Sequence, residues 1–421
     1  MKETIEKIGE SLEFISIAEP KFKTNTLELV FMVPVSKEKN AAYALAMSLL
    51  TYSCKDYPGY AELTKKLHAM YGASLNYGIS KRGDVLQLSV EASVIDNRYV
   101  PEGTDLLAEL TDLLLGCLFA PNAENGAFSD REFRIQKQDL LDAIEAEINN
   151  KRSYAMTRAA RTAFEGEPFA APLYGEKEDV EALDPAAVYA AYEELLRTAV
   201  IRIYHVGPAA APMLADRFRT AFADVARCPA AVAFHAPSPC KAETVRVNDP
   251  MPVNQSKLVI VCKGTAPKPF AMNLMSTMFG AAPFSMLFMN VREKMSLCYY
   301  CASRVIAGKK ALFIDSGVEL ENAEKACEAI LAQLDAVRQG DFDDELLADA
   351  KHSMLNQLRG IGDTPSSCIS WSHRQFCNGE SHTIDELADI YEAMTRQDMM
   401  DAANALQVDT IYLMQQEVQH A

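Results

Sequence analysis

Histidine is scarce and scattered. The seven histidines, at positions 68, 205, 235, 352, 373, 382 and 420, never fall within five residues of one another. That excludes a helical zinc site built on two histidines one turn apart. The ten cysteines follow no spaced framework, which suits free thiols and a reducing cytoplasm. Cys298 and Cys301 do form a C-x-x-C, but a zinc site would need a second pair at suitable spacing. Leu297 to Val305 reads as a strand, which would set the two sulfurs on opposite faces and argues against a redox pair. Basic residues are outnumbered, 41 against 58 acids, for a net charge of −17. Such a chain repels phosphate backbones, so no nucleic-acid partner is expected. The basic cluster Lys151, Arg152, Arg158 and Arg161 reads as the solvated face of a helix. No run reaches the roughly 18 apolar residues of a membrane span. Met1 to Glu10 lacks the apolar core of a signal peptide, so a cytoplasmic location without membrane contact is expected. Neither G-x-S-x-G, a P-loop nor a paired His/Cys nucleophile signature is present.

What is there is an ordinary globular composition, 49% hydrophobic and 24% charged, long enough for about two domains. Met1 to Ala18 reads as a lead-in. Thr26 to Val35 alternates like a strand, and Asn40 to Tyr52 is apolar enough for a buried helix. Tyr60 to Tyr71 reads as an amphipathic helix stopped at Gly72. Strands are expected over Ser74–Lys81 and Val85–Val94, joined by Arg82-Gly83-Asp84. Thr104 caps a helix running to Leu118. Ser129 to Phe164 is helical with a break near Asn149-Asn150, and Asp184-Pro185 opens another helix. A strand follows at Ala199–Val206 and a helix at Met213–Val225.

From Arg227 to about Pro252 prolines accumulate and periodicity fades, as in a linker. The order strand, helix, helix, two strands, two helices then returns. The second set is Lys257–Cys262, Pro269–Gly280, Pro283–Lys294, Ser296–Ile306, Ala311–Val318, Asn322–Arg338 and Asp343–Arg359. Leu75-Asn76-Tyr77 and Leu297-Cys298-Tyr299 fill the same slot in the two sets. The pattern predicts a duplicated α+β domain, each copy a mainly antiparallel sheet with helices on one face. The expected divisions are residues 1–226, a linker at 227–252, and residues 253–421.

The segment Leu287-Phe288-Met289-Asn290-Val291-Arg292-Glu293-Lys294, continuing through Met295-Ser296-Leu297-Cys298-Tyr299, resembles the L-F-x-x-I-R-E-K-x-G-L-A-Y stretch of the insulinase and mitochondrial-processing-peptidase family. Phe279-Gly280 with Ser285 and Leu287, Ser53 to Pro58, Tyr71-Gly72-Ala73, Tyr174-Gly175 to Tyr192, and Ile201 to Gly207 resemble other family stretches in the right order. Within that family the likeness is to bacterial proteins associated with modification of translation elongation factor P. Asp363-Thr364-Pro365 shares in it.

Active members carry H-x-x-E-H on the first helix and a Glu on a later one. Two neutral imidazoles hold zinc, and the Glu of the motif serves as general base. Here that slot falls on Ala44-Leu45-Ala46-Met47-Ser48. The distant Glu falls near Ala143, with Glu145 and Glu147 close by. The resemblance therefore implies no catalytic residue, no metal and no cofactor. It also implies that Arg292 and Tyr299, seven apart, bind the substrate backbone. Read from the residues alone, Arg292 forms a surface ion pair with Glu293 and Tyr299 is strand core. The family's glycine-rich loop has become Gly280-Ala281-Ala282-Pro283, which restricts its backbone.

The function implied is that of a non-catalytic subunit, inert as a peptidase by itself. It would pair with an H-x-x-E-H-bearing sister chain and help enclose a peptide or unfolded polypeptide. The alternative is a stand-alone peptide-binding or scaffolding protein, homodimeric when isolated.

Overall fold

The computed structural model describes residues 2–416, so His420 lies outside the described residues. In chain order the first half forms β1 (Lys2–Gly9), β2 (Leu12–Ala18), β3 (Thr24–Pro34), α1 (Asn40–Tyr52), α2 (Tyr60–Ala69), β4 (Ser74–Arg82) and β5 (Val85–Ile95). It continues with α3 (Leu106–Phe119), the two-residue strands β6 (Ala123–Glu124) and β7 (Ala127–Phe128), α4 (Asp130–Ala146) and α5 (Lys151–Ala163). α6 (Lys177–Ala182), α7 (Pro185–Thr198), β8 (Val200–Gly207) and α8 (Met213–Ala221) complete it. The second half forms β9 (Val245–Met251), β10 (Ser256–Lys263), α9 (Ala271–Ser276), β11 (Tyr300–Ile306), β12 (Ala311–Val318), α10 (Ala323–Gln339) and α11 (Asp344–Arg359). α12 (Pro365–Asn378), α13 (Ile384–Glu392), α14 (Arg396–Asn404) and β13 (Gln407–Gln416) close it.

The duplication is visible in strand order. The first sheet runs β4-β5-β3-β8-β2-β1 and the second runs β11-β12-β10-β13-β9. In each, four strands are antiparallel in sequence across the sheet and the next pair, β8 with β2 or β13 with β9, is parallel. Only β1 has no counterpart. Three expectations are corrected here. Met1–Ala18 is no lead-in, since β1 and β2 form one edge of the first sheet. The expected linker contains a strand, β9, whose alternation of half-buried and exposed residues is that of a sheet edge. The cap of α3 is Asp105, whose side chain accepts from the Ala108 N–H, rather than Thr104.

The two compact units are not continuous in sequence. The first comprises residues 1–145, 171–233 and 362–374; the second comprises 146–170, 234–361 and 375–421. This differs from the expected division at 227–252, and side-chain chemistry explains it. In the second unit α5 lays Ala155, Ala159 and Ala163 against Val259, Val261 and Phe313 of the sheet. Arg152 donates to both oxygens of Asp315 and covers the Tyr300 ring, with its guanidinium carbon 4.3 Å from the ring centroid. Arg158 lies 3.3 Å from Asp249. The buried ammonium of Lys263 donates to the Ala163 carbonyl at 2.7 Å and pairs with buried Asp409 at 3.2 Å. Two members of the basic cluster, Arg152 and Arg158, are thus ion-paired to the sheet of the second unit while their side chains stay partly exposed. In the first unit the start of α12 is held the same way. His373 bridges the Tyr204 hydroxyl (3.0 Å) and Gln87 (2.9 Å), and Ser372 donates to Glu3.

These helices cover the sheet faces opposite the main helical layers. Leu258, Ile260 and Ile314 are buried as thoroughly as Val259 and Phe313, though they point the other way. Helices therefore flank both faces, beyond the single face expected. The remaining helices pack where the apolar stripes predict. α1 is apolar all round because α3, α7, β4 and β5 surround it.

Candidate functional site

The slot that would carry zinc ligands lies in the middle of α1. Ala44 is 2% exposed, Met47 0% and Ser48 5%, and the first two belong to the main core of the first unit. Ser48 spends its hydroxyl on the Leu45 carbonyl at 2.9 Å. The start of the helix is pinned by Asn40, which donates to the Pro172 carbonyl (2.8 Å) and accepts from the Ser36 N–H (3.1 Å). Gly175 seals this end: its φ is +77°, and a Cβ there would sit 2.6 Å from the Ala41 Cβ. Ala143 is exposed on α4, and Glu145 nearby is paired with Lys177. Among the described residues no group of three or more His, Cys, Asp or Glu could hold a metal ion.

Purified chelator-free protein is accordingly expected to contain far less than one zinc per chain by elemental analysis. A stoichiometric, tightly bound zinc that substitutions in α1 abolish would contradict that.

Beside the slot lies a set of aromatic side chains that the sequence did not single out. Tyr52, at the end of α1, stacks on exposed Tyr60 with centroids 5.1 Å apart. Tyr77 of β4 is also exposed. Burial, then the Asp139 carboxylate, raises the Tyr52 phenol. Burial, Tyr174 and Asp139 do the same for Tyr77. The Asp139 carboxylate, which accepts from the Gln136 amide at 3.0 Å, thus acts electrostatically on both tyrosines. Alternation along β4 was a usable signal, since it sets Leu75 and Tyr77 on one face of an edge strand.

In the second unit Leu287–Lys294 is a π-helical turn rather than the expected α-helix, and Thr277–Ala281 is another. The Met295 N–H reaches back five residues to the Asn290 carbonyl at 3.0 Å. Arg292 projects from this widened turn. Its guanidinium lies over the Phe288 ring, 4.5 Å from the centroid, and 3.5 Å from Glu293, so the ion pair expected from the residues alone is present. Tyr299 is not strand core. It is 59% exposed, precedes β11, and donates its hydroxyl to Glu319 at 2.8 Å, which raises its pKa. Each of the two side chains thus has its own partner, and both remain at the surface. Gly280 is buried, and a Cβ on it would meet the Ser303 N–H at 2.8 Å and Leu287 at 2.7 Å. The altered loop is closed down on β11.

The C-x-x-C departs from expectation as well. Ser296 adopts φ +54° and Tyr299 lies at a bend, so the strand begins only at Tyr300. Cys298 therefore lies in the irregular segment before the strand, half-buried, while Cys301 is buried within it. Interaction with Cys301, aided by Ser316 and the Arg292 charge against opposing burial, lowers the Cys298 thiol to about 7. The same interaction, together with burial, raises Cys301 well above its ordinary value.

In this fold packed alanine, methionine and serine fill the place where the resemblance puts zinc ligands. The family model of the peptidase M16 inactive domain matches residues 182–354. The probable inactive metalloprotease YmfF of Bacillus subtilis is 28% identical over 399 residues, spanning 94% of this chain and 93% of that relative. A conserved protein from Enterococcus faecalis superposes with a TM-score of 0.91 at 22% identity, with full coverage of both chains. A peptidase M16 inactive domain from Pseudomonas fluorescens gives 0.81 at 15% identity, covering 99% of each chain. A protease from Helicobacter pylori gives 0.80 at 13% identity, covering 98% of this chain and 99% of its own. The chain is thus similar to inactive proteins of the insulinase, or M16, peptidase family. Among the described residues no helix is long and apolar enough to cross a membrane.

Proposed function

We propose that this chain is the non-catalytic subunit of a two-subunit zinc peptidase. It pairs with a sister chain that carries H-x-x-E-H, helps enclose a peptide or unfolded polypeptide, and works in the cytoplasm. The observation that carries the reading is a contrast. The metal slot on α1 is closed by core residues, yet Arg292 and Tyr299 stay accessible at the surface, held by the solvent-accessible partners Glu293 and Glu319. An arginine gives charge-assisted donors to a carbonyl or carboxylate, and a tyrosine adds one more bond. Tyr52, Tyr60 and Tyr77 offer flat apolar rings with polar tips, suited to side chains of an extended peptide. The Asp139 carboxylate, whose charge acts on Tyr52 and Tyr77, and the net charge of −17 favour basic residues in that peptide.

The test is reconstitution. The chain purified alone is expected to hydrolyse no peptide above background. Co-expressed with an H-x-x-E-H sister encoded beside it, it should co-purify in a complex of defined mass that cleaves peptides and stops when a chelator is added. Failure of the two chains to associate, with peptide retained by the isolated chain as a homodimer, would replace this reading with that of a stand-alone peptide-binding protein.

A further inference from the structure

A cavity of about 340 Å³ opens at one end of the first sheet, where β5 gives way to α3 and β8 to α8. All its lining residues belong to the first unit. Part of the lining is hydrocarbon: Leu107 from α3, Ala211 from the turn before α8, and Met213 and Leu214 from the start of α8. Met213 is 62% exposed, so some of that hydrocarbon meets solvent.

The rest of the lining is polar and is fixed from behind by a chain of hydrogen bonds. The Ala211 N–H donates to the Ser16 hydroxyl at 3.3 Å, and that hydroxyl donates to His205 Nδ1 at 3.3 Å. His205, fully buried, donates from Nε2 to Asn25 Oδ1 at 3.1 Å. An amide oxygen can only accept, which places the histidine proton on Nε2. Asn25, 4% exposed and part of the cavity wall, then donates through Nδ2 to Asp96 Oδ2 at 3.0 Å. Every step runs in one direction and the chain ends on a carboxylate. Asp96 Oδ1 is taken by Arg98, through its N–H at 3.1 Å and its Nε at 2.7 Å, which leaves Oδ2 able to accept once more. The second carboxylate is Asp105. Its Oδ1 accepts from Asn97 at 3.0 Å and from the Ala108 N–H at 3.1 Å, and its Oδ2 has no hydrogen-bond partner among the described residues. Arg217, the cation of the lining, donates to the Ala108 carbonyl at 3.2 Å and is ion-paired with Asp112. The amides are engaged and the guanidinium is answered. Carboxylate oxygens are the polar capacity left over.

We propose that this cavity binds a small amphiphilic amine, with its protonated nitrogen on Asp96 and Asp105 and its hydrocarbon body on Leu107, Met213 and Leu214. Buried apolar surface supplies the affinity, and two ionised acceptors select for charge. A neutral alcohol of the same shape makes weaker bonds to them, and a carboxylate is repelled. The volume lies at the small end of ligand pockets, so a single ring or short chain bearing one amine fills it. The site depends neither on a sister chain nor on peptide cleavage.

The test uses the full chain with phenethylamine as probe, phenethyl alcohol and phenylacetate as controls, and carbon-13-labelled methionine methyls as readout. The chain has 18 methionines, and Met213→Lys identifies the Met213 signal by removing it. Phenethylamine should shift that signal saturably, with a Kd on the order of 0.1–1 mM for so small a ligand. The alcohol and the acid should bind at least about tenfold more weakly. Asp105→Asn keeps an oxygen for the Ala108 N–H, so α3 stays capped and Tm should hold. Loss of its charge should weaken the amine about ten- to hundredfold. Met213→Lys places a cation in the lining at an exposed position and should abolish amine binding followed by ligand-detected NMR. A tripeptide beginning with phenylalanine carries the same ammonium on a body too long for the cavity and should bind at least about tenfold more weakly than phenethylamine. Four results would overturn the proposal: a Met213 signal that phenethylamine leaves unmoved, equal binding of amine and alcohol, undiminished amine binding in a folded Asp105→Asn chain, or a tripeptide that binds as tightly as the amine, which would make this a site for peptide termini.

Discussion

A chain carrying Ala44→His, Met47→Glu and Ser48→His is expected to be markedly less stable than its parent and still not a peptidase. The three positions are buried, and the helix that carries them is enclosed by α3, α7, β4 and β5. Each introduced polar group would enter without a prepared partner, at roughly 1–3 kcal/mol apiece. The larger side chains would also overpack a core whose neighbours have no room to yield. For a unit of this size the summed cost lowers Tm on the order of 10–20 °C. Zinc would not rescue it. Ala143, at the place of the third ligand, is exposed on α4 and carries no donor, and nothing has been arranged to orient the new imidazoles. Thermal unfolding, zinc content and chelator-sensitive peptide turnover should be measured on one preparation. A variant that melts within a few degrees of the parent and holds one zinc would show that the slot is a site merely stripped of its ligands. A variant that melts early and binds little metal would show that the surroundings have been rebuilt as core.

That distinction bears on how much of this molecule its sequence discloses. Where one apolar period governs a segment, the reading is close to the structure. α1 runs Asn40–Tyr52 and β12 runs Ala311–Val318, as expected from pattern alone. The repeat of strand order was legible for the same reason, because each half must bury one sheet with similar stripes. The losses have other causes. β1 and β9 are edge strands, exposed or half-buried along most of their length, so neither shows the apolar run that marks a central strand. The π-turns at 277–281 and 287–294 carry ordinary helix-forming residues. What marks them is hydrogen bonding that reaches back five residues, as from the Met295 N–H to the Asn290 carbonyl after the second turn, and no local propensity encodes it. The crossing of α5 and of the start of α12 into the other unit depends on pairs far apart in sequence, Arg152 with Asp315 and His373 with Tyr204. The C-x-x-C was placed wholly within a strand because nothing local marks the left-handed Ser296 and the bend at Tyr299, which delay the strand's start by three residues, from Leu297 to Tyr300. Of the candidate site, the vacated metal slot was legible as missing residue types. Of the tyrosines beside it, Tyr77 left a signal in the alternation of β4, whereas the Tyr52–Tyr60 stack joins two helices and left none.

Substitution of Arg292 and Tyr299 should cost activity rather than stability in a reconstituted pair. In the folded chain their present contacts are worth little. The Arg292–Glu293 pair is largely solvated, at about 0–1 kcal/mol, and the Phe288 stack adds roughly 0.5–1 kcal/mol. The Tyr299 hydroxyl bonds an exposed Glu319 carboxylate that water can serve instead. Arg292→Ala and Tyr299→Phe should therefore leave Tm within a few degrees of the parent and leave complex mass unchanged. Turnover is another matter if these side chains grip the substrate backbone. Loss of a charge-assisted hydrogen bond at Arg292 costs roughly 1.5–3 kcal/mol, or about ten- to hundredfold in kcat/KM. Tyr299→Phe removes one neutral donor and should cost less, nearer threefold to tenfold. Because Glu319 already holds that hydroxyl, a substrate carbonyl must compete with it, so Glu319→Ala should raise kcat/KM modestly and only while Tyr299 is intact. A purely architectural role gives the opposite pattern, a lower Tm or poorer assembly with normal specific activity in the complex that remains. Unchanged turnover in an intact complex carrying both substitutions would reduce this chain's contribution to shape alone.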